Sequence, residues 1–342
     1  MTAVHVVVPA GIDDPRRPSG GNVYDRRVCN GLSRLGWDVI EHHVIGSWPC
    51  PDSVALQGLN NAIAAVPDNA VLLADGLIAS AAPTVLVPES ERLRMVVLVH
   101  LPLEVPGEDA VLSAARAVVT TSRWARTQLL KRYPLEPHAV HIAEPGADRA
   151  EPASGTCGGG ELLCVAPVSP HKGHDVLLTA LLAVRDLPWS CRVIGSLDRD
   201  PAFADEIRRR VDAYGLRDRV TFCGARTPVE LAAVYATSDL LVHPSRGETY
   251  GMVITEALAH ALPVMATNVG GVPEALGGAQ TSAGLLVEAD APAELASALR
   301  AWLTDGELRT QLRTAAARRR ELLPSWESTT TRIANVLSRL PR

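Results

Sequence analysis

Lysine is almost missing from this sequence: Lys131 and Lys172 are the only two in 342 residues, while arginine and alanine abound. The bias reads as genomic composition, and it makes each retained lysine worth a question. A basic surplus is missing too. Lys plus Arg number 33 against 38 Asp plus Glu, and the net charge of −5 gives no electrostatic ground for a nucleic-acid partner. No C-x-x-C pair occurs among Cys29, Cys50, Cys157, Cys164, Cys191 and Cys223. Neither a disulfide framework nor a zinc site is expected, only small buried thiols in a reducing compartment. The pairs His171/His174 and His138/His141 read as no metal site either. No apolar run approaches the roughly 20 residues that span a bilayer. The first residues enter an apolar strand over 4–8 with no basic leader segment. A cytoplasmic protein is the expectation. Internal repeats and low-complexity segments are also absent.

What is present is a chain long enough for two domains, each with its own core. Hydrophobic residues at 47% and charged residues at 21% place it among globular proteins. Short apolar runs alternate with amphipathic stretches, the pattern of βα units and parallel sheets. In the first half, strands are expected over 4–8, 37–44, 70–74, 95–99, 117–120 and 138–143, with helices notably over 22–35 and 122–133. The glycine-rich stretch 147–160 reads as a linker. A second series follows, with strands over 161–166, 191–195, 220–223, 240–243, 263–266 and 284–287. Its helices are expected over 172–184, 201–214, 228–236, 252–261 and 292–303, with helical segments over 306–319 and 326–339 in the tail. Two doubly wound α/β domains facing each other across a cleft follow from this order, with ligands at the carboxyl ends of the strands.

Two segments carry the chemistry. In HPSRGETYGMVITE, 243–256, a strand ends at His243, a polar loop follows, and Gly251 admits close backbone approach before a helix. The amides of Gly251, Met252 and Val253 then open a helix N-terminus, where anions bind. Glu248 precedes them and Glu256 lies a turn inside, so two acids flank an anion site. That suits a ligand with phosphate in the middle and hydroxyls at both ends. Two glutamates eight apart would otherwise read as a loop cap and a surface helix residue. In PVSPHKGHD, 167–175, Lys172 sits at the mouth of a helix, unfavourable unless an anion is there.

At these residues the sequence resembles the retaining glycosyltransferases of family 4, with the GT-B fold of two Rossmann-like domains. The resemblance runs over nearly the whole chain, through PSGGNVY at 18–24, VHLP at 99–102, TSRW at 121–124, PGAD at 145–148, Lys172-Gly173 and the Glu-x7-Glu of Glu248 and Glu256. It implies an acceptor-side domain over 1–150, a nucleotide-sugar domain over 151–324, and a final helix, 325–342, returning to the first domain. It also implies that Lys172 contacts the donor diphosphate, Glu248 holds hydroxyls of the transferred sugar and Glu256 the ribose. Gly251, Met252 and Val253 would give backbone contacts, and Gly224 would lie beside the base. Gly20 and Gly21 would close over the phosphates while His100 faces the reacting carbon. The arginine usual five residues before the lysine is here Pro167, so a guanidinium must come from Arg246 or Arg226, or Lys172 and helix amides act alone.

Asp75, ending a strand, and the loop with Asp13 and Arg16 are acceptor-side candidates. The basic helix over 122–133 could rest on an anionic membrane, although its shortness and the acidic net charge favour a solvated face. The implied activity is a retaining transferase, expected to move a hexose, with a nucleoside-diphosphate sugar as co-substrate and neither metal nor cofactor. The rivals are a nucleotide-sugar epimerase, a phosphorylase on the same fold, and a non-catalytic nucleotide-sugar-binding protein.

Overall fold

The computed structural model describes residues 2–14, 19–278 and 283–341. They form two compact units. The first comprises Met1–Gly146 and Pro324–Arg342, the second Ala147–Leu323.

The first unit holds six parallel strands: β1 (Ala3–Pro9), β2 (Asp38–Val44), β3 (Val71–Asp75), β4 (Arg94–Val99), β5 (Ala117–Thr120) and β6 (Val140–Ile142), in the order β2-β1-β3-β4-β5-β6. Alternation sends their side chains to two cores. Val4, Val6, Val8, Val71 and Leu73 enter one, while Val7, Leu72 and Ala74 enter the other. Helix Gly20–Arg34 follows β1, capped by Ser19, whose hydroxyl accepts from the Asn22 amide at 3.1 Å. The last helix, Trp326–Ser338, packs in this unit and gives Ile333, Ala334 and Leu337 to the core of Val4 and Tyr24. It lies against helix Gly20–Arg34 so closely that a β-carbon on Gly31 would sit 2.2 Å from Thr330 Oγ1.

The second unit repeats the plan with β7 (Glu161–Val165), β8 (Ser190–Ile194), β9 (Val220–Gly224), β10 (Leu240–His243), β11 (Val264–Thr267) and β12 (Gly284–Val287). Their order is β12-β11-β10-β7-β8-β9, all parallel. The strand order reverses between β7 and β10, so the loops leaving those two strands flank the crevice where doubly wound sheets take their ligands. Prolines open helices Pro201–Ala213, Pro228–Ala236 and Pro292–Thr304, where a missing N–H costs nothing.

Helices Ser53–Ala64, Pro83–Glu89 and Glu108–Ala114 were not singled out by periodicity. The last two have only seven residues each, too few for a clear amphipathic repeat. The expected strand over 138–143 is shorter, Val140–Ile142, and the expected helix over 172–184 begins at His174 after a 3-10 turn at Pro170–Lys172. No helix among the described residues is long and apolar enough to cross a membrane. Helix Arg123–Arg132 leans partly inward, burying Ala125 and Leu129.

Candidate active site

In the second unit the loops after β7 and β10 are stitched together. Gly173 has φ +68°, and a β-carbon there would lie 2.0 Å from the Pro244 carbonyl oxygen, so only glycine lets the two loops touch. The Arg246 amide donates to the His171 carbonyl at 2.9 Å. The Arg246 guanidinium donates to both oxygens of Asp175 at 3.0 and 2.8 Å, to Asp290 at 2.7 Å, and to the Pro170 carbonyl. Such a fork is a strong, directional clamp. It also removes Arg246 as the guanidinium expected for a diphosphate, because its donors are turned onto these acids. Arg226 is exposed, two residues beyond β9.

The clamp sets Lys172 beside Glu248. The Lys172 ammonium donates to Glu248 Oε2 at 2.7 Å, and His243 Nε2 approaches the same oxygen at 3.3 Å. Burial alone would raise the Glu248 carboxyl, but His243 and Lys172 outweigh it and hold it down at about 2. This is an ionised carboxylate, poised to accept hydrogen bonds. His243 ends β10 with its ring buried, and its Nδ1 has no hydrogen-bond partner among the described residues.

Gly251 caps helix Met252–Ala259 at φ +93°, aligning the first amides of the helix as an anion-binding edge. Glu256 lies on that helix and accepts from the Tyr235 hydroxyl at 3.1 Å. Gly224 ends β9 at φ +70° with open space where a β-carbon would be. Two supports were invisible in the sequence reading. A β-carbon on Gly270 would fall 1.7 Å from the Glu248 carbonyl oxygen, and one on Gly271 2.1 Å from that of Thr249. The Gly271 amide donates to the Glu248 carbonyl at 2.9 Å, so this glycine pair is the floor of the Glu248 loop. The only signal was the Gly-Gly step between a strand and a helix.

The first unit gathers a second group. Gly20 and Gly21 open their helix, and a β-carbon on Gly21 would lie 3.2 Å from His100 Cδ2. The missing side chain makes room for the imidazole. His100 follows β4, and its Nε2 lies 2.7 Å from Asp25 Oδ1. The sequence reading missed Asp25, whose acid lies on the helix facing the sheet and is 3% exposed.

Asp75, an acceptor-side candidate, is 4% exposed; it accepts from the Leu77 amide at 2.7 Å and lies against Asp25 and His100. The donor atoms of Asp25, Asp75 and His100 all lie within 4.8 Å of one another. Among the described residues no other grouping of His, Cys, Asp or Glu is compact enough to embrace a cation. Here the donors are turned on each other. Burial and the neighbouring Asp25 push the Asp75 carboxyl well above the usual range. Burial would lower the His100 imidazole, but the charge and hydrogen bond of Asp25, ahead of a lesser pull from Asp75, raise it to about 9. Asp13 stands apart, gripped by Arg26 at 2.8 and 2.7 Å, and Arg16 lies outside the described residues.

With this geometry in view, residues 158–319 match the family described as Glycosyl transferases group 1. A D-inositol 3-phosphate glycosyltransferase of Jonesia denitrificans is 33% identical over 253 residues, covering 68% of this chain and 59% of that protein. The Rhodococcus opacus enzyme of the same name is 32% identical over 239 residues, covering 65% and 53%. The match thus spans little more than half the length of these relatives. Among solved structures, sucrose-phosphate synthase from Thermosynechococcus elongatus superposes with TM-score 0.81 at 21% identity over 99% of both chains. Anabaena HepE in complex with UDP and glucose gives 0.78 at 17% identity, over 99% of this chain and all of that one. The fold is therefore GT-B, two Rossmann-like units of parallel sheet flanked by helices.

Proposed function

We propose that this chain is a glycosyltransferase that moves a hexose from a nucleoside-diphosphate sugar to an acceptor hydroxyl, with retention at the anomeric carbon and without a metal. The observation that carries the reading is the Lys172–Glu248 pair at the β7/β10 switch point, inside the segment that matches the glycosyltransferase family. A cation, an ionised carboxylate and a helix N-terminus stand together there. The cation and the amides suit a diphosphate, and the carboxylate suits sugar hydroxyls. Glu256 is assigned to the ribose, Gly224 to the base, Gly20 and Gly21 to the phosphates, and His100 to the reacting carbon. With Arg246 committed to Asp175 and Asp290, Arg226 and the amides of Gly251, Met252 and Val253 are the diphosphate partners we assign beside Lys172.

No side chain here is assigned as a covalent nucleophile, so the step is a front-face displacement. The bond from the anomeric carbon to the phosphate oxygen breaks, and a bond to the acceptor oxygen forms on the same face. The acceptor proton passes to the departing phosphate oxygen. Catalysis then rests on positioning and on stabilising the leaving diphosphate. The named relatives suggest a phosphorylated polyol as acceptor.

The test is calorimetric titration with a panel of nucleoside-diphosphate sugars. The best donor is then incubated with inositol phosphates and other polyols, and the product's anomeric configuration is read by NMR. Retained configuration that persists in chelator supports the reading. Inverted product overturns the retention, and chelator-sensitive turnover the metal independence. Tight donor binding without turnover would mark a binding protein instead, which the loss of the usual arginine to Pro167 makes the second reading.

A further inference from the structure

We propose that Asp25 is the positioning residue of His100: its carboxylate, backed by a protonated Asp75, fixes the orientation of the imidazole and keeps it doubly protonated. The use made of His100 rests on the glycosyl-transfer reading; the arrangement of charge does not.

Three elements deliver the groups. Asp25 comes from the second turn of helix Gly20–Arg34, Asp75 is the last residue of β3, and His100 follows the neighbouring strand β4. Two buried carboxylates this close to each other, with a single imidazole, cannot both stay ionised without leaving an uncompensated charge in a low-dielectric site. One proton must be kept. Asp25 Oδ1 is bonded to His100 Nε2 at 2.7 Å, which marks Asp25 as the ionised partner. Asp75 Oδ1 already accepts from the Leu77 amide, leaving its other oxygen to carry the proton.

A second observation agrees. Asp25 Oδ2 is buried and has no hydrogen-bond partner among the described residues. Two ionised carboxylates cannot donate to each other, whereas a protonated Asp75 supplies the donor this oxygen lacks. The cavity bordered by both acids and by Val6 and Val8 measures about 10 Å³, enough for one water at most, and the two carboxylates are only 3 and 4% exposed, so bulk solvent screens them little.

Among the described residues, the remaining surroundings add no competing charge. The Tyr24 ring stands edge-on to His100 at 5.2 Å, its hydroxyl donating to the Ala143 carbonyl at 2.7 Å. The Cys29 thiol, one turn beyond Asp25, is pushed up to about 12 by burial and stays neutral. Arg26 is closed onto Asp13 and Glu41. With Nε2–H spent on Asp25, the Nδ1–H that remains is a charged donor, so His100 steadies an oxygen and does not remove a proton.

The experiment is a pH titration of the full chain labelled at the histidine Cε1 carbon, with the His100 resonance assigned by its loss in His100→Asn. The wild-type resonance is expected to titrate near pH 9, far above the ordinary 6.5. Asp25→Asn should lower the proton affinity of His100 by about 10- to 1000-fold, the range for losing an adjacent opposite charge. Asp75→Asn, which mimics the protonated acid, should leave His100 high. A wild-type midpoint near 6.5 overturns the proposal even if no variant folds, as does a folded Asp25→Asn with an unmoved midpoint. An equal drop in both variants overturns the division of roles between the acids. None of these readouts uses turnover. A chain that transfers no sugar but shows the high midpoint keeps this proposal and loses the reading of function.

Discussion

A single ammonium opposite a single carboxylate is the smallest unit on which the proposed chemistry depends. Lys172→Ala should reduce kcat/KM on the order of 100-fold or more, the usual effect of removing one group that stabilises developing negative charge, with the far-UV spectrum unchanged. A folded variant with parental kinetics would remove Lys172 from the donor site. The two glutamates should separate. Glu256→Gln is expected to weaken binding of the bare nucleoside diphosphate by about tenfold, the equivalent of one charge-assisted hydrogen bond. Glu248→Gln should leave nucleotide binding nearly intact and impair transfer. Equal losses on bare nucleotide, measured by calorimetry, would contradict the division. Glu248 also carries a pH signature. Its carboxyl lies at about 2 in the fold against an ordinary 4.5. The stability it adds, roughly 3 kcal/mol, is full above pH 4.5 and is lost as pH falls toward 2. Urea denaturation of wild type and Glu248→Gln should therefore differ at pH 6, with the gap narrowing to about half by pH 3 and closing only below pH 2. A gap that stays constant with pH would show that the ion pair is not its origin.

At the scale of elements, loops are held by what their neighbours omit. Gly270→Ala would drive a β-carbon onto the Glu248 carbonyl at φ +55°, at a cost of about 1–3 kcal/mol and a displaced Glu248 loop. Transfer should fall by more than tenfold in a protein that still folds. Gly36→Ala, also at positive φ but with nothing within 4 Å, is the control for backbone strain alone and should leave transfer unchanged. If both behave alike in melting and activity, crowding at Glu248 is not the cause.

The same scale shows why the sequence was readable in some places and opaque in others. Strands such as β10 and β12 announce themselves as compact apolar runs bounded by polar turns. The Lys172 and Glu248 segments were legible because a glycine, a strand end and a helix start sit within a few residues of each. The contact of His100 with Asp25 joins positions 75 apart, and no local pattern encodes it. Gly270 and Gly271 escaped for the same reason, since their neighbours are distant in the chain. Arg246, one of two arginines offered as a phosphate partner, is taken up by Asp175 and Asp290, two acids that sequence spacing does not bring to it.

For the molecule as a whole, the last helix is the decisive segment. Ile333, Leu337 and Leu340 are 0, 1 and 8% exposed and fill the first unit's core. Three such side chains contribute roughly 5–9 kcal/mol, comparable to the net stability of a typical domain. Deleting residues 325–342 should abolish transfer and unfold the first unit, while the second keeps a cooperative melt by calorimetry. A truncated chain whose first unit melts as before would show the helix to be dispensable.

That dependence has a consequence in time. The first unit is completed by residues that follow the entire second unit in the chain, so a nascent polypeptide can close its second sheet before its first. At roughly 5–20 residues per second, the sheet of β1 to β6 waits many seconds with the face shared by helix Gly20–Arg34 and the last helix only partly covered while the inserted unit is made. The interval before helix Trp326–Ser338 emerges is when apolar residues of β1 such as Val4, Val6 and Val8 are exposed to chaperones and to aggregation.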